Sequence, residues 1–166
     1  MKKQLSPFLL LFCSLLLLSA CGGKEVNPYA FHGPVYPPTD KVQYIFQAAQ
    51  AAPPCRVFAE LLVSMPAGTD GAAMRAKLDR EAKAHGADLV LLGQARRMKD
   101  NPGFTFAYFG PGREYRCNDQ WCGWKYSFDA WDRQGEFVGI GLGQWGNKDV
   151  SFPYPVMLQA AFLRCH

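Results

Sequence analysis

The sequence predicts an α+β domain: a small mixed β-sheet covered by one main helix, with an aromatic-rich β-hairpin and a short C-terminal helix. Three observations carry that expectation. Apolar, β-rich runs of strand length occur at Arg56 to Ser64 and at Leu89 to Leu92. Between them, Asp70 to His85 has the helical period. Beyond Pro102 the chain turns aromatic and, from Trp124 to Ala130, alternates cleanly between apolar and polar residues.

The elements follow in chain order. Val42, Tyr44 and Phe46 alternate with Gln43 and Gln47 as in a half-buried strand, and a helical pattern through Val42, Ile45, Phe46 and Ala49 competes with it. Pro53-Pro54 break the chain before the buried strand Arg56 to Ser64, and Pro66-Ala67-Gly68 turn it. In the helix, Asp70 is a fitting N-cap, and Met74, Leu78 and Ala82 form a narrow apolar stripe suited to covering a sheet. Gly86 stands where a C-terminal stop belongs. In the hairpin, Trp124, Tyr126, Phe128 and Ala130 share one face, and Lys125, Ser127 and Asp129 the other. Asp132 to Gly135 turn, and Glu136 to Trp145 return as the partner strand. Pro155 to Arg164 reads as the terminal helix, with Pro155 near its first turn.

The amino terminus has a different character. Lys2-Lys3 precede Phe8 to Leu18, an uncharged stretch that is apolar apart from Ser14. As helix it would reach about 16 Å, half of a hydrocarbon core of ~30 Å, so it reads as the apolar region of a secretory signal. The exit, Leu18-Ser19-Ala20-Cys21, resembles the bacterial lipobox. That resemblance implies a diacylglycerol thioether on Cys21, cleavage after Ala20 and acylation of the new amine. This covalent lipid is the one attached group expected, with no cofactor beyond it. Gly22, where inner-membrane retention uses Asp, implies an outer-membrane address, facing either the periplasm or the cell surface.

Residues 1–20 thus form a lipoprotein signal, 21–40 a lipid-anchored tether and 41–166 a single globular domain. Four prolines and three glycines between Gly22 and Pro38 oppose both helix and central strand. The tether would span ~3.1 Å per residue where polyproline-like, less if Tyr29, Phe31 and Tyr36 dock. Loss of the signal removes two lysines and takes the formal charge from +4 to +2, a balance that argues against nucleic acid as a partner. The cluster Arg96, Arg97 and Lys99 is expected to be a solvated strand end.

From residue 36 to 93 the chain resembles small envelope lipoproteins of the Rcs stress-sensor type. The shared features are Tyr36-Pro37-Pro38-Thr39, the strand ending Ala59-Glu60-Leu61-Leu62-Val63, and a helix leading through His85-Gly86-Ala87-Asp88 into Leu89 to Leu92. The resemblance implies an α+β domain with a small mixed sheet, and envelope sensing or protein contacts. The sensor's cysteines flank its helix–strand unit. Here none lies between Arg56 and Arg116, so partners and disulfide connectivity do not transfer.

Besides Cys13 and Cys21, four cysteines remain, an even number suited to two disulfides in an oxidising compartment. Three connectivities are possible, and Cys117–Cys122 with Cys55–Cys165 is the expected one. A zinc site from Cys117, Cys122, Cys165 and His166 has workable ligand types, but export weighs against it and no metal is expected. Gly141-Leu142-Gly143-Gln144-Trp145-Gly146 formally matches G-x-G-x-x-G. Asn147 to Pro155 holds two prolines and no helical period to receive a pyrophosphate, so no nucleotide is expected.

No catalytic residue is assigned. Glu60, in an apolar run, has the setting in which burial raises a carboxyl pKa, although a strand-edge pairing with Arg56 accounts for it more simply. Asp129, Asp132 and Glu136 are further acids. Ser64 lacks a nucleophile elbow, and His85 suits the helix C-terminus through the dipole. Trp131, in phase with Asp129, is the possible ligand contact, since core packing would not require a ring on the polar face of the hairpin. The reading as a whole is a non-enzymatic, membrane-anchored envelope lipoprotein acting through a protein partner, as a structural, assembly or stress-sensing component. The alternative is a cell-wall glycan binder or weak glycan hydrolase.

Overall fold

The computed structural model describes residues 27–117 and 128–165. Seven strands form one mixed sheet: β1 (Gln43–Ile45), β2 (Arg56–Met65), β3 (Leu89–Arg97), β4 (Thr105–Gly110), β5 (Tyr115–Arg116), β6 (Phe137–Val138) and β7 (Val156–Arg164). The order is β1-β3-β7-β2-β4, with β5 paired to β2 and β6 to β3. Helix α1 (Gly71–Ala84) connects β2 to β3, and β7 lies between those two strands, antiparallel to both. A mixed sheet with one main helix is the α+β fold that the sequence predicts.

The helix forms as the sequence indicates. The Asp70 carboxylate accepts the Ala73 N–H at 2.7 Å, satisfying one of the amides that a helix start leaves without a partner. Met74, Leu78 and Ala82 face the sheet, fully buried. Burial of a Met or Leu side chain contributes roughly 2–3 kcal/mol. Gly86 ends the helix at φ +79°, a conformation that side chains disfavour.

The helix side of the sheet holds the main core, including Phe58, Leu61, Met65, Leu92 and Phe162. The opposite side carries two smaller clusters. Val57, Leu89, Leu91 and Leu163 pack around Cys55 and Cys117, whereas Leu62, Met98 and Met157 pack around Trp131. Because β2 and β7 are covered on both faces, their sequences run apolar without alternation.

Two expected elements are corrected. Val156 to Arg164 is not a terminal helix but the central strand β7. Its Met, Leu, Gln and Ala residues favour helices locally. Eight of its nine positions are nevertheless buried, which only a strand between two others allows, and Pro155 precedes the strand, where no ladder bond is lost. The aromatic hairpin is also revised. Residues 118–127 lie outside the described residues, and Phe128–Asp132 is a short helix, α2. Of the returning strand only Phe137–Val138 pairs, and it pairs with β3. In the helical phase Trp131 turns inward onto Leu62, which explains how an alternating pattern misplaced it.

Part of the presumed tether is bound to the domain. The Tyr29 carbonyl accepts the Tyr108 N–H at 3.0 Å beside β4. Phe31 packs edge-on against Phe58 and Tyr108, and Tyr36 against Phe58. Thr39 donates its N–H to the Lys83 carbonyl at 3.1 Å, and its hydroxyl bonds the Ala87 carbonyl. Residues 27–40 are therefore a strap across the C-terminal end of α1, and six residues (21–26) separate it from the signal.

Candidate functional site

The feature best suited to recognition is an open cleft of about 520 Å³ beside α1, lined by Asp40, Lys41, Arg75, Asp79, Lys83 and Gly146 among others. One wall is the segment leading into β1, and the other is the solvent-side shoulder of the helix. Arg75, Asp79 and Lys83 are spaced by four residues, so they line up on one helix face. Asp79 pairs with Lys83 at 2.7 Å and accepts a hydrogen bond from the Tyr44 hydroxyl at 3.2 Å. Burial, then the Asp79 carboxylate, drives the Tyr44 phenol well above its ordinary pKa, so this hydroxyl is a permanent donor.

Arg75 is held differently. Its guanidinium lies over the Tyr44 ring, 5.6 Å from the centroid, and Tyr44 in turn packs on Trp145 at 5.1 Å. Among the described residues, no carboxylate lies within ion-pair distance of Arg75 or Lys41. The turn 141–146 closes the end of the cleft. The Gly146 N–H donates to the Gly71 carbonyl at 3.0 Å, and a Cβ on Gly71 would lie 1.9 Å from the Gln144 carbonyl oxygen. This is the glycine run that formally matches a nucleotide motif. It is a turn packed on the start of α1, with Gln144 and Trp145 N–H groups both bonded to the Gly141 carbonyl. Leu142, 85% exposed, projects from it.

A second polar group sits under the strap. Glu81 accepts the Tyr108 hydroxyl at 2.7 Å and lies 3.4 Å from His85 Nε2. The His85 hydrogen bond holds the Glu81 carboxyl below its usual range, and burial raises the Tyr108 phenol. Phe31 stacks on the His85 ring at 4.3 Å. His85 thus joins strap, helix and sheet, and its role extends beyond the dipole contact expected of it. Sequence spacing shows the Glu81–His85 pair, but nothing local reveals that Tyr108 and Phe31 complete it.

The remaining predicted residues are scattered. Cys55 and Cys165 form a disulfide, linking the start of β2 to the end of β7. Cys117 is disulfide-bonded as well, while Cys122, Cys21 and His166 lie outside the described residues. With Cys165 and Cys117 both oxidised, the four-ligand zinc set loses two of its thiolates. Glu60 is buried in a central strand and accepts the Tyr115 hydroxyl; the expected partner, Arg56, instead pairs with Glu114 at 2.7 Å. Ser64 is buried, and Asp129, Asp132 and Glu136 are exposed, distributed over α2 and the turn after it.

Trp131 is corrected outright: at 4% exposure it is a core residue and offers no surface for stacking a ligand. Arg96 and Arg97 are not simply solvated, because their guanidinium groups lie over the rings of Phe137 and Tyr154, at 4.4 and 4.9 Å. No helix among the described residues is long and apolar enough to cross a membrane. No family model matches this chain, and no curated protein and no solved structure matches it.

Proposed function

We propose that the chain is a lipid-anchored envelope protein of the outer membrane that works by holding a protein partner in the cleft beside α1. The lipobox through Cys21 and the resemblance over residues 36–93 support the address. The observation that carries the partner reading is Arg75, oriented on the Tyr44 ring at the mouth of the cleft, with no carboxylate within ion-pair distance of it among the described residues. A guanidinium fixed on an aromatic face presents its planar donors to a carboxylate at little entropic cost. Leu142, exposed on the 141–146 turn whose Gly146 lines the cleft, supplies an apolar anchor. The partner is therefore a protein segment that pairs a carboxylate with an apolar side chain.

A photo-crosslinking residue in place of Leu142, in the full chain in cells, tests this. The expected result is one protein adduct, reduced at least tenfold by Arg75→Glu and retained by Arg75→Lys. An adduct yield indifferent to Arg75→Glu would overturn the assignment. The anchor is checked separately by the intact mass of the purified chain, which is expected to begin at an acylated Cys21.

A further inference from the structure

We infer that the face of the sheet opposite α1 rests on the membrane surface, with Phe137 and Phe128 at the lipid interface and Arg96 receiving a lipid phosphate. This rests on the proposed lipidation of Cys21 but is independent of the partner assigned to the cleft. The face carries a continuous aromatic chain. Tyr29 packs on Phe109 at 5.1 Å, Phe109 adjoins the Trp131 cluster, and Trp131 meets Phe137 at 6.4 Å. Two of its rings are open to solvent, Tyr29 at 45% and Phe137 at 62%, and Phe128, one turn before Trp131 in α2, is 49% exposed. Exposed aromatics beside cations suit the headgroup zone, where a ring lies in the apolar boundary and the charge meets phosphate.

Arg96 is built for that contact. Its guanidinium lies over both Trp131 and Phe137, at 5.2 and 4.4 Å, and its Nε has no hydrogen-bond partner among the described residues. No carboxylate among the described residues lies within ion-pair distance of Arg96, so the guanidinium held on these rings is open to an anion.

The anchor selects this face. Six residue steps separate Cys21 from Asn27, at most about 22 Å of chain even when fully extended. A domain of this length has a radius of roughly 18 Å, taking its radius of gyration from chain length. The molecule is thus confined to the bilayer surface on the side where the strap begins. Asn27 lies beside Tyr29, whose N–H bonds its side chain at 3.0 Å. Tyr29 is the first ring of the aromatic chain.

The test uses the full lipidated chain in vesicles of phosphatidylethanolamine and phosphatidylglycerol, with benzoylphenylalanine at position 137, at 128, or at 142 as the control beside α1. Illumination is expected to give phospholipid adducts at 137 and 128 at least tenfold above those at 142. Arg96→Gln should lower the yield at 137 about fivefold, the effect of one basic residue near an anionic surface. Equal yields at 137 and 142, or protein adducts at 137, from chains whose mass shows an acylated Cys21 would overturn the orientation alone. Chains without acyl groups on Cys21 would overturn the anchor, and this inference with it.

Discussion

At the scale of single residues, the polar group beneath the strap contains a carboxylate whose ionisation matters. Glu81 accepts the Tyr108 hydroxyl and lies against His85, and the His85 hydrogen bond is the main reason that its pKa is lowered in the folded state. A lowered carboxyl pKa contributes stability that is complete above the unfolded value near 4.5 and is lost as pH falls through the lower folded value. Glu81→Gln is expected to cost about 1–2 kcal/mol at pH 7, typical of a hydrogen bond to a charged group. The difference from the parent should shrink as pH falls through the lowered folded value, since a protonated Glu81 is uncharged like the glutamine. Urea denaturation at pH 7 and pH 3 measures both, and a cost that does not change with pH would show that Glu81 acts by shape alone.

The elements were legible in the sequence to different degrees, for physical reasons. Helix α1 was plain because its cap, stripe and terminal glycine are local signals that agree. Strands β2 and β3 were plain because each opens as a short apolar run set off by turn residues, Pro53-Pro54 and Pro66 to Gly68 around β2 and Gly86 before β3. Strand β7 was not, since a strand buried on both faces has no alternation, and its Met, Leu and Ala composition suits a helix equally. Of the cleft, Arg75, Asp79 and Lys83 were visible as helix spacings. Tyr44 and the 141–146 turn join them only through the sheet order, which spacing cannot express. The strap gave its three rings but not their contacts. Its seat on the helix end depends on Gly86, where an added Cβ would lie 2.5 Å from the Pro37 carbonyl oxygen in a backbone already at φ +79°. Gly86→Ala is expected to destabilise the domain by about 2 kcal/mol or more, combining left-handed strain with steric conflict. It should also make residues 27–40 the first site of limited proteolysis; unchanged cleavage kinetics would argue against a seated strap.

For the whole molecule, the Cys55–Cys165 disulfide closes a loop across 110 residues of sequence, nearly the full domain. By the loop-entropy relation, such a crosslink stabilises by about 5 kcal/mol. The double variant Cys55→Ser/Cys165→Ser is expected to lose most of this, with the thermal midpoint falling by roughly 15 °C. Calorimetry of the variant beside the parent checks it. A shift of only a few degrees would mean that the packing of β2 on β7 already restrains the chain without the bond.

On the proposed export, the position of β7 would set a timetable for folding. Of the described strands, the one that fills the middle of the sheet comes latest in the sequence, so β2 and β3 have no ladder partner between them until residue 164 has emerged. A chain threaded amino end first through a narrow translocation pore would keep its central gap open for nearly the whole passage. It would then close its sheet on the far side. Late delivery of the keystone strand would thus keep the polypeptide competent for that transport.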